Sequence, residues 1–258
     1  MHITDLLSLK GKTAIIIGGA GKIGLPMVEA LSESGAEVFV GSTNTEKSKE
    51  SIAPLIEKKL DVKVIYLDQS DEKSVSESID YIKSKSQSPN ILINSGVQRP
   101  MTNYMEDTAE NWENSMSINS KGLFITCRAF GNEMSKNNGG SIINISSVYG
   151  IKAPDPSIYE GTTIQTEPDY PYTKGGMIMF SKYLAGYYAK NNVRVNVIAP
   201  GGFYNNQEEP FLSQYCKRVP LNRMAYYDDL KGISVFLSSE ASNYITGAII
   251  PVDGGFTI

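Results

Sequence analysis

Short apolar runs alternate with longer segments of helical periodicity along this chain. The runs are rich in β-branched residues and are continuous rather than alternating, which is typical of parallel strands buried on both faces. Seven segments have this character: Thr13–Ile17, Glu37–Val40, Lys63–Leu67, Ile91–Ile93, Ser141–Ile145, Val193–Ile198 and Ala248–Val252. The segments between them have helical spacing and end at signals such as Gly35. This order predicts an α/β fold, a doubly wound Rossmann-type parallel sheet of about seven strands.

No repeat, charge block or low-complexity linker interrupts this order, so residues 1–258 are predicted to form a single domain. One segment departs from the rhythm. Residues 151–169 contain three prolines and a glycine among polar and aromatic residues, which is the composition of a loop. Loops of this length inside a compact domain usually serve a function. We therefore predict an extended active-site loop at 151–169.

Composition narrows the classes of function. The chain has 41% apolar residues and a formal charge of −4, which argues against a nucleic-acid partner. No apolar run is long enough to span a bilayer and no signal-peptide pattern is present, so we expect a cytoplasmic protein without a membrane partner. Cys127, Cys216 and His2 are the only cysteines and histidine. These counts argue against a disulfide framework, a cysteine or histidine metal site and a histidine triad, so no metal is expected.

A glycine-rich turn follows the first predicted strand and opens a helix. Gly18, Gly21 and Gly24 have the spacing Gly-x-x-Gly-x-x-Gly, and Lys22 and Ile23 lie between the last two. Glycines in this context permit a tight turn and let a pyrophosphate approach the helix N-terminus. A plain structural turn is the alternative, but the order strand, glycine turn and helix favours a dinucleotide site.

The ends of the second and third strands bear on the choice of nucleotide. The second strand ends without the acidic residue that binds the ribose hydroxyls of NAD. The hydroxyls of Ser42 and Thr43, together with Lys22, could instead receive a 2′-phosphate, which favours NADP over NAD although no arginine is present there. Asp68 closes the third strand, where it could accept a hydrogen bond from the adenine amino group or cap a helix that begins near Ser70.

A tyrosine and a lysine four residues apart supply candidate acid/base chemistry. On a helix, Tyr170 and Lys174 lie on the same face. A free phenol titrates near pH ~10, and moving it about two units towards neutrality needs roughly 3 kcal/mol of preference for the phenolate, which a nearby ammonium can supply. This spacing also occurs by chance in many helices, so the neighbouring motifs decide its meaning.

The motifs in their order resemble those of the short-chain dehydrogenase/reductase family, in its compact single-domain branch, over nearly the whole chain. They are the glycine turn, Asn94, Met116–Gly122 around Asn119, Ile145–Gly150 around Ser147, the pair Tyr170 and Lys174, Val195–Gly201, and Val252–Gly255. The resemblance implies an NAD(P)-dependent oxidoreductase that interconverts a secondary alcohol and a ketone. It also implies a homotetramer in which the helices near 111–137 and 170–191 pack across one interface.

Four residues receive catalytic roles from this resemblance and from the chemistry of carbonyl reduction. Tyr170 would act as the acid/base, because the carbonyl oxygen gains charge and needs a proton. Ser147 would polarise the carbonyl by a hydrogen bond. Lys174 would lower the pKa of Tyr170 and hold the nicotinamide ribose, and Asn119 would hold a proton-relay water. The cofactor is implied to contact Gly18, Gly21, Lys22, Ile23, Gly24, Ser42, Thr43, Asp68, Gln69, Asn94, Ser95, Gly96, Tyr170, Lys174, Pro200, Gly201 and Phe203.

The chain departs from the family pattern at several positions. Ile17 stands where threonine usually precedes the glycine turn, and Asn205 stands where threonine usually follows the Pro-Gly turn. The interval from Ser147 to Tyr170 is about ten residues longer than in the resembling family, and the surplus is the loop at 151–169. We expect substrate identity to be determined there.

Aromatic and polar residues surround the predicted catalytic positions in sequence. The substrate candidates are Arg99, Tyr149, Tyr159, Glu160 and Asn205. Aromatic faces mixed with amides and charges suit a small polar ligand such as a sugar, sugar acid or polyol, whereas an acyl chain or steroid would need more aliphatic side chains. Surface or subunit contacts are the alternative for these tyrosines. The alternative functions are a 3-oxoacyl-thioester reductase and a redox-inert nucleotide-binding regulator.

Overall fold

Seven parallel strands form one sheet in the computed structural model, which describes residues 2–258. The strands are β1 (Thr13–Ile17), β2 (Glu37–Ser42), β3 (Val62–Tyr66), β4 (Ile91–Asn94), β5 (Gly140–Ile145), β6 (Val193–Pro200) and β7 (Ile249–Val252). Their order across the sheet is β3-β2-β1-β4-β5-β6-β7. Every predicted strand is present with ends shifted by no more than two residues. The predicted doubly wound α/β fold is therefore confirmed.

Helices connect successive strands. They are α1 (Ile3–Leu7), α2 (Gly24–Glu33), α3 (Thr45–Glu57), α4 (Glu72–Lys85), α5 (Ala109–Met116), α6 (Leu123–Lys136), α7 (Asp169–Tyr188), α8 (Phe211–Cys216) and α9 (Lys231–Ser238). Side-chain caps begin four of them: His2 caps α1, Asn44 caps α3, Asp71 caps α4 and Thr108 caps α5. Within residues 2–258, each helix is too short or too polar to cross a membrane.

Two apolar layers cover the two faces of the sheet. Successive strand residues point to opposite faces, so Ile15 and Phe39 belong to one buried cluster and Ile16 and Val40 to the other. The first layer includes α4, α6 and α7, and the second includes α2, α3 and α9. Because both faces are covered, the strands need continuous apolar runs, and this is the pattern in the sequence.

The order of the strands reverses between β1 and β4. These two neighbours are paired from Ala14 opposite Ile91 to Ile17 opposite Asn94. The chain leaves β1 towards one edge of the sheet and leaves β4 towards the other, which opens a crevice at the carboxyl ends of the strands. The glycine turn, the segment after β4 and the segment after β5 all lie at this end.

The loop at 151–169 is packed against the C-terminal part of the chain. It contains one 3-10 turn, Pro156–Ile158, and Ile158 is buried in a third apolar cluster with Phe211 and Tyr215. Arg218 pairs with Asp155 of the loop at 3.1 Å. The loop ends where α7 begins, and its packing on α8 encloses one side of the crevice.

Candidate active site

Tyr170 and Lys174 lie one turn apart near the start of α7. Lys174 is only 4% exposed, and its Nζ donates a hydrogen bond of 2.7 Å to the carbonyl of Ile145 at the end of β5. The same ammonium lies 5.7 Å from the centre of the Tyr170 ring. Burial lowers the pKa of Lys174, and the charge of Arg99 acts in the same direction while Tyr170 opposes it. The helix spacing therefore does place a buried cation beside a phenol.

A second cation covers the phenol. The guanidinium carbon of Arg99 lies 3.5 Å from the centre of the Tyr170 ring, which is a close cation–π contact. Burial alone would raise the pKa of Tyr170, but the charges of Lys174 and Arg99 outweigh this effect and lower it below the ordinary phenol value. Hydrogen bonding with Ser147 also favours the phenolate. Tyr170 is thus set up to exchange a proton nearer neutrality than a free tyrosine.

Ser147 lies between β5 and a 3-10 turn at Val148–Gly150. Its backbone is extended and its Oγ accepts a hydrogen bond of 3.1 Å from the main chain of Tyr149. The neighbouring Ser146 donates a hydrogen bond of 2.9 Å to the carbonyl of Lys174, which ties the end of β5 to α7. Ser147 is buried and lines the same cavity as Tyr170 and Lys174. Its hydroxyl keeps a proton to donate into that cavity.

Asn119 lies in a π-helical segment, Ser117–Gly122, between α5 and α6. Its Nδ2 donates to the carbonyl of Gln98 at 2.7 Å and to Oγ of Ser115 at 3.0 Å, and its Oδ1 accepts from the main chain of Gln98 at 2.9 Å. Both N–H groups of the amide are therefore in use. A water bound by Asn119 would therefore have to donate a hydrogen bond to its Oδ1 or to its main-chain carbonyl. Single-turn π segments often occur at functional sites.

The glycine turn and the segment after β4 meet at the crevice. Gly18 has φ of +72°, and a Cβ at this position would lie 2.7 Å from Cα of Gly96. A Cβ at Gly24 would lie 2.6 Å from Cα of Gly19, and Gly21 donates its main-chain N–H to the carbonyl of Gly18. Only glycine permits this approach of main chains. The turn thus leaves its main chain bare for a ligand.

The start of α2 has the properties of a phosphate-binding site. Within the described residues, Ile23 precedes α2 without a side-chain cap. The N–H of Leu25 donates to the carbonyl of Gly21 at 2.8 Å and Pro26 has no N–H, so the N–H groups before Leu25 are the ones that could bind a ligand. Lys22 and Ile23 line the cavity that also holds Tyr170, as do Ser95, Pro200, Gly201 and Phe203. A bare main-chain turn, an uncapped helix start and a lysine together fit the pyrophosphate of a dinucleotide.

The polar residues at the ends of β2 and β3 are held in local turns. Ser42 Oγ exchanges hydrogen bonds with the main chain of Asn44, and Thr43 is exposed beside it. Asp68 Oδ1 accepts from both the main chain and the hydroxyl of Ser70, at 2.8 and 2.7 Å. Asp68 is not the cap of α4, because that role belongs to the next aspartate, Asp71.

Two predicted cofactor residues use their side chains to support the fold. Asn94 is buried, and its Nδ2 donates to Oδ1 of Asn144 at 2.8 Å while its Oδ1 accepts from Thr126. Because its side-chain amide is occupied, Asn94 can contact a nucleotide only through its main chain. The Nε2 of Gln69 donates to the carbonyl of Ile118 at 2.8 Å, which ties the end of β3 to the π-helical segment.

The cavity beside Tyr170 has a volume of about 370 Å³ and a largely polar and aromatic wall. The predicted substrate residues Arg99, Tyr149, Tyr159 and Asn205 all line it. The hydroxyls of Tyr149 and Tyr159 are 2.5 Å apart, and Tyr159 also bonds Oγ1 of Thr166 at 2.9 Å. Glu160 differs, because it is exposed and only its main-chain carbonyl is bound, by Gln214. The side chain of Glu160 is not brought to the cavity.

Several residues that line this cavity were not predicted from the sequence. They include Phe211, Tyr215 and Met224, whereas Ile164, Gln165 and Thr166 belong to the predicted loop at 151–169. Phe211 and Tyr215 come from α8, and Tyr215 accepts a 2.5 Å hydrogen bond from the main chain of Gly202. Burial raises the pKa of Tyr215 to about 12, so this phenol stays protonated. No motif marks these residues in the sequence, and the packing of α8 on the loop brings Phe211 and Tyr215 to the site.

The geometry joins a phenol of lowered pKa, two cations, a serine hydroxyl and a crevice at the carboxyl ends of the strands. A family model described as enoyl-(acyl carrier protein) reductase matches residues 18–257, which is nearly the entire chain. This protein belongs to the short-chain dehydrogenase/reductase family. As a short-chain dehydrogenase/reductase it is an oxidoreductase that acts on CH–OH groups and uses NAD or NADP.

Relatives of this short-chain dehydrogenase match it end to end. Gluconate 5-dehydrogenase of Gluconobacter oxydans (strain 621H) is 30% identical, over 100% of this chain and 99% of its own. The 3-oxoacyl-[acyl-carrier-protein] reductase FabG of Chlamydia pneumoniae is also 30% identical, over 97% of this chain and 99% of its own. A gluconate 5-dehydrogenase from Burkholderia cenocepacia J2315, solved in complex with NADP and tartrate, is 29% identical with a TM-score of 0.87, and the match covers 99% of each chain.

Proposed function

We propose that this enzyme interconverts a secondary alcohol and a ketone on a small sugar acid, with NADP preferred over NAD. The observation that carries the proposal is the wall of the cavity beside Tyr170. It combines a guanidinium, two bonded phenols and the amides of Asn205 and Gln207, and these groups suit a ligand with a carboxylate and several hydroxyls. The two gluconate 5-dehydrogenases that match over the full length support the same class of substrate.

In the proposed reaction the nicotinamide cofactor supplies or accepts the hydride. During oxidation the Tyr170 phenolate accepts the proton of the substrate hydroxyl, and during reduction the phenol returns it. Ser147 donates a hydrogen bond to the same substrate oxygen, so that charge on this oxygen is stabilised in both directions. Lys174 favours the phenolate by its charge and binds the ribose of the cofactor. Asn119 holds a proton-relay water through an acceptor atom.

The proposed cofactor site runs from the glycine turn to the segment after β6. The bare main chain of the turn and the uncapped start of α2 support phosphate binding there. The preference for NADP is supported by the end of β2, where Ser42 and Thr43 occupy the turn without a carboxylate. We propose that the carboxylate of Asp68 accepts a hydrogen bond from the adenine amino group. Fluorescence titration with NADH and NADPH tests this choice, and tenfold tighter binding of NADH would contradict it.

A panel assay tests the proposed reaction. Gluconate, related sugar acids, aldoses and polyols are assayed with NAD and NADP, and the keto acids are assayed in reverse. We expect turnover with a sugar acid, and we expect Tyr170→Phe to abolish it while nucleotide binding is kept. Turnover by Tyr170→Phe, or the absence of turnover with every sugar acid, would contradict the proposal.

A 3-oxoacyl-thioester reductase is the second candidate. The full-length similarity to FabG of Chlamydia pneumoniae favours it. An acetoacetyl thioester belongs in the same panel for this reason. Arg99 predicts that the thioester is a poorer substrate than the keto acids, since its guanidinium would face an acyl chain without a carboxylate.

We also propose a cytoplasmic homotetramer. An exposed apolar stripe on α6 and α7 supports self-association, since Phe124 is 44% exposed and Met179 and Tyr183 are each 66% exposed. The two free cysteines are consistent with a reducing compartment. Sedimentation should give a tetramer, and a monomer at working concentration would remove this part of the proposal. Cell fractionation tests the location.

A further inference from the structure

A buried aspartate immediately precedes Tyr170 at the start of α7. Asp169 is 1% exposed, and its Oδ2 accepts a hydrogen bond of 2.6 Å from Oγ of Ser115 in α5. Ser115 has no exposed surface, and its oxygen accepts in turn from Nδ2 of Asn119 at 3.0 Å. Three buried polar side chains are therefore joined in series. Buried polar groups depend on their hydrogen-bond partners, so removal of one member of the series should disturb the others.

The series continues to the far side of the phenol. The Oδ1 of Asn119 accepts a hydrogen bond of 2.9 Å from the main-chain N–H of Gln98, and its Nδ2 donates one of 2.7 Å to the carbonyl of Gln98. Gln98 precedes Arg99, whose guanidinium carbon lies 3.5 Å from the centre of the Tyr170 ring. Since Tyr170 directly follows Asp169 in the chain, these contacts form a closed loop of interactions, which we call the circuit. It runs from Asp169 through Ser115, Asn119, Gln98 and Arg99 back to the ring of Tyr170. The circuit ties α7, α5, the π-helical segment and the segment after β4 together.

We propose that Asp169 is a positioning residue for the phenol of Tyr170. Through Ser115 and Asn119 it holds the segment after β4, so that the guanidinium of Arg99 stays over the Tyr170 ring. Without this support Arg99, an exposed residue in a connecting segment, would be free to leave the ring. The inference rests on the function proposed above for Tyr170 and adds a residue that acts through others.

The hydrogen-bonded series acts on the position of only one charged group near Tyr170, the guanidinium of Arg99. The titratable groups around the phenol are Lys174, Asp169 and Glu167 on or beside the start of α7, Arg99 after β4, and Tyr149 after β5. Lys174 is anchored separately, by its bond to the carbonyl of Ile145. Tyr149 stays protonated because burial raises its pKa. Loss of the circuit should therefore act on the phenol mainly through Arg99.

The test breaks the circuit at its smallest member. Ser115→Ala removes the hydroxyl that links the aspartate to Asn119 at almost no change in volume. Ionisation of Tyr170 is followed by tyrosinate absorbance against pH, as the difference between each protein and the same protein carrying Tyr170→Phe. We expect about tenfold less phenolate at a given pH, which is the lower end of the effect of a neighbouring charge. Ser120→Ala, on the exposed side of the same π-helical segment, is the control and should leave the titration unchanged.

A double-mutant cycle separates the circuit from a direct effect of the aspartate. In a background of Arg99→Gln, Ser115→Ala should produce no further change, because the charge that it displaces is already gone. An equal change in both backgrounds, or no change in either, would overturn the proposal. Since the titration needs no substrate, it decides this inference even if no sugar acid is turned over, which would contradict only the proposed function.

Two substitutions of Asp169 keep the test decisive if Ser115→Ala does not fold. Asp169→Asn retains an oxygen that accepts a hydrogen bond from Ser115. The effect of Arg99 on the Tyr170 titration should therefore be kept. Asp169→Leu fills the same space without an acceptor and should lose it. If the two variants give the same Tyr170 titration, Asp169 does not position Arg99 through the hydroxyl of Ser115.

Discussion

Replacement of Lys174 by methionine gives the most direct test of the electrostatics at this site. The ammonium lies 5.7 Å from the centre of the Tyr170 ring. At an effective dielectric constant of ~20, two unit charges at this distance attract by roughly 3 kcal/mol. That energy corresponds to about a hundredfold change in the ratio of phenolate to phenol at a fixed pH. Lys174→Met keeps the length of the side chain and removes the charge.

The effect of Lys174→Met should differ between oxidation and reduction, and it should depend on pH. Loss of the ammonium raises the pKa of Tyr170, so the base needed for oxidation appears only at higher pH. Oxidation at saturating cofactor should therefore fall about a hundredfold near neutrality and recover as the pH rises. Reduction, which needs the phenol, should be less affected by the change in proton affinity.

The assay measures kcat in both directions across pH for wild type, Lys174→Met and a matched control. Lys182→Met is the control, since Lys182 is an exposed lysine on the same helix. Melting curves show whether the loss of the bond to Ile145 affects folding. If Lys174→Met lowers oxidation equally at every pH, the lysine does not act on the proton affinity of Tyr170, and the electrostatic reasoning is refuted.

Three further outcomes follow from particular contacts. Gly24→Ala should abolish nucleotide binding measured by fluorescence, since its Cβ would lie 2.6 Å from a neighbouring main-chain carbon, whereas Gly232→Ala, with nothing within 4 Å, should bind normally. Tyr159→Phe removes a hydroxyl with two partners in the cavity wall and should raise KM by about tenfold with less effect on kcat, and an unchanged KM would remove Tyr159 from the substrate site. Burial would raise the pKa of Glu133, but hydrogen bonds and the charge of Lys83 lower it, so its contribution to stability is present above the ordinary carboxyl value and is lost as pH falls below about 4. Glu133→Gln should therefore lower the melting temperature at neutral pH and converge with wild type in acid, and a constant difference would contradict this assignment.

The strands were predictable because their environment imposes a simple pattern. A strand that is covered on both faces is expected to be mainly apolar, and Ala14–Ile17 and Ile91–Ile93 have this pattern in the sequence alone. Some strands extend beyond the predicted ends. Gly41 and Ser42 extend β2, and Ala199 and Pro200 extend β6, because pairing with a neighbour continues past the apolar run.

Some side chains have roles that their motif does not reveal. The Asn94 position matches a family motif, yet its amide is bound among Asn144, Thr126 and Cys127 in the core. Glu160 adjoins Tyr159 in sequence but is turned to the surface, since neighbours in a loop seldom share a direction. Motif matching identifies which positions matter, whereas the partners of each side chain depend on distant segments.

The sequence by itself determined the sheet and the glycine turn, because periodicity and short-range spacing are written along the chain. Its resemblance to a family of known motifs indicated Ser147, Tyr170 and Lys174 as the candidate catalytic positions. Only the tertiary structure decided what surrounds the phenol. Arg99 lies over Tyr170, and Ser115 bonds Asp169 from a helix more than fifty residues earlier in the chain. Contacts between side chains so far apart depend on how helices pack against the sheet, and no local pattern encodes that packing.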